Sequence, residues 1–531
     1  MNARTTREAL MGCSSPCRRV DWTHATLRRI GYSVTTKIAA RSVSVFLALT
    51  SLLGFAASVL AQPPLEDFVA LASKDEKLSN AAAARLAMVW TNAYAAMVLD
   101  LARFFRPARP LGASTEGGDE GLGQVDDTQA AAAANRGARD APIEGLRQTP
   151  ESLVRGRLMR FLAKQTGKKF GDNLKLWRKW SWTLPYEPHP GFASFKARLY
   201  ANVDPRMAAF FESAQTPRIR LDEIDWGGVG VNGIPPLDHP KTVAASGASF
   251  MGDKHIVFGL VANGAARAYP KRILAWHELA LDTLGGVRLA IVYCTLCGTV
   301  IPYETSAGGR TFTLGTSGLL YRSNKLMFDV ETKSLWSTLE GRPVVGPLAG
   351  ADIALKYRPV VTTTWKEWRT LHPDTTVVSL DTGHQRDYNE GAAYREYFSH
   401  DNLMFEVPSE DTRLKRKTEV VTFFAGSDRS LTPVAIDTAL LKKNPVHLFD
   451  AASSGYVALT TTGGANRVYK AGLTRFVRLA DSEVVDDTGQ AWRITEESLD
   501  GPGGETRPRE PARRTFWFAW FAQFPDTILL K

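Results

Sequence analysis

The sequence predicts an α+β protein, a small N-terminal helical region followed by a β-rich C-terminal domain. Three observations support this expectation. Leu65 to Phe105 is rich in Ala and Leu and contains neither Gly nor Pro, the composition of good helix formers. Beyond Ile219, short β-branched and aromatic runs alternate with turns containing Gly and Pro, the signature of successive strands. Finally, 531 residues with a hydrophobic share of 44% and 13 Trp exceed what one simple core usually organises.

Residues 1–61 read as an N-terminal extension and export signal. Ser42 to Ala61 (SVSVFLALTSLLGFAASVLA) is uncharged and follows Arg28, Arg29, Lys37 and Arg41. It ends on the small residues Val59 and Ala61 before Gln62. Basic flank, apolar run and small-residue exit describe a secretory signal. The run also approaches the length of a membrane-spanning helix, so 42–61 would attach the chain to a membrane if left uncut. The expected location is therefore extracytoplasmic, periplasmic or secreted. Cys13 and Cys17 precede the signal, which leaves Cys294 and Cys297 in the exported portion.

The net charge of +10 does not point to nucleic acid. Residues 1–61 carry eight Lys and Arg against Glu8 and Asp21, so six of the ten net charges sit there. The rest of the chain is only mildly basic, and no nucleic-acid partner is expected.

The helical region is expected in two parts, 62–105 and 149–219, joined by a disordered linker at 106–148. The linker is dense in Pro, Gly, Ala and acidic residues and poor in aromatics, too little apolar surface to order itself. In the second part Thr149 can cap a helix with Pro150 in its first turn. Leu153, Leu158, Phe161 and Leu162 suggest its packed face. Trp177, Trp180 and Trp182 fit a core better than a binding platform.

Residues 220–531 are expected to form one β-rich domain, and its chemistry centres on Cys294-Thr-Leu-Cys297-Gly298. The motif follows the apolar run Val287 to Tyr293 and precedes Thr299-Val-Ile-Pro302-Tyr303, which predicts a strand–knuckle–strand hairpin. A redox dithiol of the helix N-terminal type gains a low thiol pKa from the dipole. Gly298, the β-branched residues and Pro302 argue against a helix here, so a low-pKa nucleophile is not expected. A Gly after the second Cys instead allows a tight turn with both sulfurs as metal ligands. Zinc or copper would suit such a site, and no nucleotide or organic cofactor is expected. The pair could equally close as a disulfide outside the cytoplasm.

His277 is the candidate third ligand. Lys271 to Leu284 reads as one helix after Pro270, stopped by Gly285-Gly286. Ile273, His277, Ala280, Leu281 and Leu284 fall on one face, which directs His277 into the core just ahead of the cysteine strand. Glu278 lies off that face, as a solvated or outer residue. His384, His400, Met327 and Met404 are weaker candidates. Leu314-Gly-Thr-Ser317-Gly318-Leu lacks the second Gly of a nucleophile elbow. Its Gly and Ser are expected to let backbone pass close to another strand.

Several strings occur together in order: Ala268-Tyr-Pro270, Trp276-His277-Glu278, Tyr293-Cys294-Thr-Leu-Cys297-Gly298 and Gly318-Leu-Leu-Tyr321-Arg-Ser-Asn324. They are followed by Trp336, Gly346-Pro347-Leu348, Trp365, Trp368, His372-Pro373 and Phe516-Trp517-Phe518-Ala519-Trp520. Over about 220–531 the chain resembles the bacterial and archaeal family catalogued as domain of unknown function 3179. That family usually has Pro after the first Cys, where this chain has Thr295. The resemblance implies an extracytoplasmic domain built around the Cys pair and implies no reaction. Three functions follow from the residues. The first is metal binding through Cys294, Cys297 and His277. The others are thiol–disulfide oxidoreduction and a non-catalytic extracytoplasmic binding module, in which Trp336, Trp365, Trp368, Trp517 and Trp520 are core or contact residues.

Overall fold

The helical region starts where its composition places it, but polar capping side chains divide it without help from Gly or Pro. Its first part forms the helices Leu65–Leu71, Glu76–Met88 and Ala95–Ala102. Asp75 accepts hydrogen bonds from the amides of Lys77 and Leu78 and so starts the second helix, satisfying donors the helix itself cannot. The computed structural model describes residues 62–107, 109–110, 146–147, 149–427, 430–480 and 482–531. The export signal at 42–61, Cys13, Cys17 and most of the linker at 106–148 lie outside the described residues.

Helix Pro150–Thr166 is capped as its sequence indicates. Thr149 and Ser152 form a reciprocal capping box, Pro150 occupies the first turn, and Gly167 closes the helix at φ 69°. The packed face differs by one residue from the expected one. Leu153 is 45% exposed, and Val154 takes its place beside Leu158, Phe161 and Leu162, the spacing of one helical stripe. Trp177 and Trp182 are buried, and Trp180 packs edge-on against Trp177 at 5.8 Å. Trp177 and Trp182 are core, as expected, and Trp180 is half-buried against them.

These helices back onto the β-rich part through a shared core in which Phe68, Leu158 and Phe195 meet Leu319, Leu326 and Phe328. Buried charges reinforce both parts. Lys196 Nζ lies 2.6 Å from Asp100 within the helical region, and across the seam the fully buried Asp225 faces Arg103, at 2.7 Å, and Arg178.

Among the described residues, the β-rich part comprises six sheets of three to five strands in a propeller-like arrangement, plus one short two-stranded pair, Ser306–Ala307 with Arg310–Thr311. Two sheets frame the cysteines. One runs Thr299–Glu304, Val287–Cys294, Leu279–Leu284, Leu237–Asp238, antiparallel except for its last pair. The other runs Pro343–Val345, Leu335–Ser337, Asn324–Asp329, Leu314–Tyr321, Ile224–Trp226 and is antiparallel throughout. Leu279, Val292 and Ile301 of the first share a core with Leu314, Met327 and Trp336 of the second. Trp336, Trp365, Trp368, Trp517 and Trp520 are fully buried. No helix of the described residues is long and apolar enough to cross a membrane.

The single helix expected over Lys271–Leu284 is not formed. The helix spans Lys271–His277, Glu278 adopts a left-handed φ of 57°, and Leu279–Leu284 continues as a strand. Tertiary pairing overrides helix propensity here. The segment gains ladder bonds to Val287–Cys294, and its Asp282 receives Arg267 at 2.6 Å and the Tyr269 hydroxyl at 2.7 Å. The close backbone passage expected at Gly318 is present: a Cβ there would lie 2.3 Å from the Val229 carbonyl oxygen.

Candidate functional site

The cysteine motif forms the hairpin its sequence predicts. Strand Val287–Cys294 leads into a single tight turn, Thr295–Cys297, and strand Thr299–Glu304 returns with Thr299 opposite Cys294. Gly298 makes the return at φ 63°, and a Cβ there would stand 3.0 Å from the Phe516 ring. The position demands glycine on both counts. Both thiols are free and almost inaccessible, Cys294 2% and Cys297 0% exposed.

A second hairpin brings polar groups to the sulfurs. Strands Leu314–Tyr321 and Asn324–Asp329 are joined through Arg322 and Ser323, at φ 49° and 62°. Two consecutive left-handed residues are the geometry of a twist-matched two-residue turn, though neither residue here is Gly or Asn. Arg322 is clamped from outside by the Glu223 carboxylate and, at 2.7 Å, by the Ala522 carbonyl. The turn presents the Ser323 carbonyl to the Cys297 thiol at 3.5 Å, and Asn324 Nδ2 donates to Cys297 Sγ at 3.1 Å. The backbone and ammonium of the next residue, Lys325, both favour the charged form of Cys294.

The two sulfurs are therefore unequal. Burial pushes the Cys294 thiol up, but its interactions with the neighbouring Cys297 and with the backbone and ammonium of Lys325 outweigh it. Cys294 consequently lies below the ordinary thiol value, with the Glu278 carboxylate opposing. For Cys297, burial and its interaction with the neighbouring Cys294 sulfur act upward, and it lies well above that value. The groups that favour charge on Cys294 come from a distant strand, and no helix N-terminus is involved.

Glu278 and Lys325 form a buried ion pair beside this centre. Lys325 is 4% and Glu278 8% exposed. Lys325 Nζ donates to the Glu278 carbonyl at 2.7 Å and to its Oε2 at 3.2 Å. Tyr394 donates to Glu278 Oε1 at 3.1 Å. Glu278 is thus not solvated and stands as an outer residue, bonded to Lys325 and Tyr394. As a non-glycine residue in the left-handed region it costs about 1–2 kcal/mol.

The pair is covered by residues 379–418, which link strands Thr376–Val378 and Glu419–Ser427 and contain the short helix Arg395–Ser399. Tyr397, Leu403 and Val407 of this flap share a core with Cys294, Cys297 and Phe516. The Tyr397 hydroxyl donates to the Leu296 carbonyl, between the two cysteines, at 2.8 Å. Among the described residues the hydroxyls of Thr295, Thr299 and Ser323 have no hydrogen-bond partner. Of these Thr299, as a cross-strand partner, shares a face with Cys294 at about 5 Å between Cβ atoms.

His277 is buried, as expected, but its ring is spent elsewhere. Nδ1 lies 2.9 Å from the Pro235 carbonyl and Nε2 2.6 Å from the Tyr388 hydroxyl. The carbonyl can only accept, so Nδ1 carries the proton and Nε2, the nitrogen with a free lone pair, accepts from Tyr388. Burial drives this imidazole below its usual value, with His384 and Arg386 acting the same way against the Pro235 carbonyl. Among the described residues no group of three or more His, Cys, Asp or Glu is placed to hold a metal ion. Cys294 and Cys297 are brought together, and His277 does not complete a ligand set with them. Of the weaker candidates, Met327 is core, Met404 and His384 are exposed, and His400 is half-buried.

Sequence reasoning missed Asn324, Lys325, Tyr394 and Tyr397. Asn324 ends a string that marks the family resemblance, which was its one available signal. A family model described as "Protein of unknown function (DUF3179)" matches residues 231–527, more than half of the chain. No curated protein and no solved structure matches it.

Proposed function

The chain belongs to the DUF3179 family, whose description names no reaction, and we propose that Cys294 and Cys297 form a dithiol that exchanges electrons with a disulfide. One arrangement carries this reading: two free, buried thiols stand on one tight turn, Asn324 Nδ2 donates to Cys297 Sγ at 3.1 Å, and their surroundings place Cys294 below and Cys297 above the ordinary thiol value. The thiolate is the attacking species in exchange, so Cys294 attacks and Cys297 resolves.

The steps balance as follows. The Cys294 thiolate attacks a disulfide R–S–S–R′, forms Cys294–S–S–R, and releases R′–S⁻, which takes a proton from solvent. Cys297 then loses its proton and attacks Cys294 Sγ. The Cys294–SR bond breaks and R–S⁻ leaves. Two electrons pass from the dithiol to the substrate disulfide. Because both sulfurs are buried, the flap at 379–418 must move before a substrate reaches Cys294. The apolar segment at 42–61 supports an extracytoplasmic setting, where disulfide substrates persist.

The test is trapping with oxidised glutathione. Cys297→Ser should hold a stable mixed disulfide at Cys294, whereas the reduced wild type should release two thiols per chain and retain no adduct. Equal trapping by Cys294→Ser and Cys297→Ser, or a lasting adduct on the wild type, would overturn the assignment. Retention of one zinc or copper ion per reduced chain, lost in Cys294→Ser, would favour a metal site on the same sulfurs instead.

A further inference from the structure

Residues 401–414 of the flap run between the cysteines and the helix Leu174–Trp182. Leu403 and Val407 share the core of Cys294 and Cys297, whereas Glu406 and Glu410 meet Lys175 and Lys179 of the helix. Among the described residues no backbone-to-backbone hydrogen bond joins this stretch to the rest of the chain. Side-chain contacts therefore hold it, and segments without ladder bonds open at the lowest cost. The helix, by contrast, is fixed. Trp177 is fully buried and donates to the Gly171 carbonyl at 2.9 Å, and Trp182 donates to the Asp222 carbonyl at 3.2 Å. Arg178 faces the buried Asp225.

The contacts between flap and helix are charges that alternate in sign. Lys175 and Lys179 stand one turn apart on the helix. Glu406, whose side chain is 16% exposed, faces Lys175 with Oε1 at 3.3 Å and Lys179 with Oε2 at 3.0 Å. Lys179 also reaches Glu410 Oε1 at 2.8 Å, and Arg416 meets Glu410 Oε2 at 2.7 Å. A lone exposed pair contributes little, but charges that share partners in a network hold more firmly.

We propose that this ladder is an ionic latch through which the N-terminal helical region governs exposure of the two thiols, whatever their reaction. With the latch closed, Leu403 and Val407 stay packed beside the sulfurs. When the ladder breaks, 401–414 leaves the helix and those two side chains withdraw, which opens the way to Cys294 and Cys297. Lys175 and Lys179 are 40% exposed, so rising ionic strength screens the ladder without weakening the apolar contacts of Leu403 and Val407. Opening is therefore salt-sensitive and begins in this stretch of the flap.

The experiment follows amide hydrogen exchange and iodoacetamide alkylation in the full chain by mass spectrometry, at one fixed pH. At low salt, Lys179→Gln and Glu406→Gln should each speed exchange in peptides covering 401–414 and alkylation of both cysteines, roughly three- to tenfold. Raising NaCl from about 0.02 M to about 0.5 M should accelerate the wild type toward the variants and move the variants little. Lys179→Arg keeps the charge and should behave as wild type. Arg198→Gln, whose pair with Glu66 involves no flap residue, should leave both rates alone. Unchanged rates in Lys179→Gln and Glu406→Gln would overturn the latch. So would acceleration spread evenly over the chain with a lowered urea midpoint, because the thiols would then be exposed by global unfolding.

Discussion

Glu496 and Glu278 are nearly equally buried, their side chains 8% and 10% exposed, yet their surroundings differ. Glu496 lies between two guanidiniums: Arg467 reaches it at 2.6 Å, and Arg509 meets its other oxygen. Burial pushes this carboxyl up, but Arg467 and Arg509 outweigh it and hold it well below the usual carboxylate value. Glu278 has one ammonium, one phenol and two thiols as neighbours. A carboxylate fixed by two permanent cations has one job, to stay ionised and join elements. One that shares a single cation with a pair of titrating sulfurs can influence how they ionise. Burial alone does not separate structural from chemical charge; the partners do.

The comparison breaks most visibly at Glu496. Glu496→Gln leaves Arg467 and Arg509 buried without their counter-charge and should cost about 3–5 kcal/mol in urea unfolding, with the rate of Cys294 alkylation unmoved. The acid limb gives the sign. Because the folded-state value is depressed, the Glu496 contribution is fully present above the ordinary carboxylate value. It is lost as pH falls through the folded one. Wild-type stability should therefore decline on acidification, and Glu496→Gln should flatten that decline.

Next in size is Gly298→Ala. A Cβ at φ 63°, 3.0 Å from the Phe516 ring, should cost about 2 kcal/mol and, unlike the change at Glu496, should also disturb Cys294 reactivity. The smallest expected effect is that of Tyr397→Phe. Losing the hydrogen bond to the Leu296 carbonyl should cost about 1 kcal/mol, but with the flap less firmly held, alkylation of Cys294 should accelerate. An unchanged rate would mean that Tyr397 plays no part in covering the sulfurs.

What could be read beforehand was local. The hairpin around Cys294 and Cys297, the Thr149 cap and the buried tryptophans all follow from short-range pattern and turn chemistry. The fate of Leu279–Leu284 did not, because its helical periodicity lost to pairing with Val287–Cys294 and to the buried Asp282 contacts. The expected ligand role of His277 rested on its burial and its closeness in sequence to Cys294. Burial came out as expected, but Tyr388, more than a hundred residues later, takes the nitrogen a metal would need. Lys325 and Tyr394 were out of reach for the same reason. Each arrives from a distant segment, and a buried lysine has no pattern that distinguishes it from a surface one.

The turn at Arg322 and Ser323 has a consequence for how this protein can vary. In a strand, neighbouring residues face opposite sides, so adding or removing one residue at that bend would turn Asn324 away from Cys297 and Lys325 away from Glu278 together. Side chains around the bend could be exchanged one at a time with graded effects. A change of length would act on both contacts in one step, so in this segment spacing should be guarded more strictly than residue type.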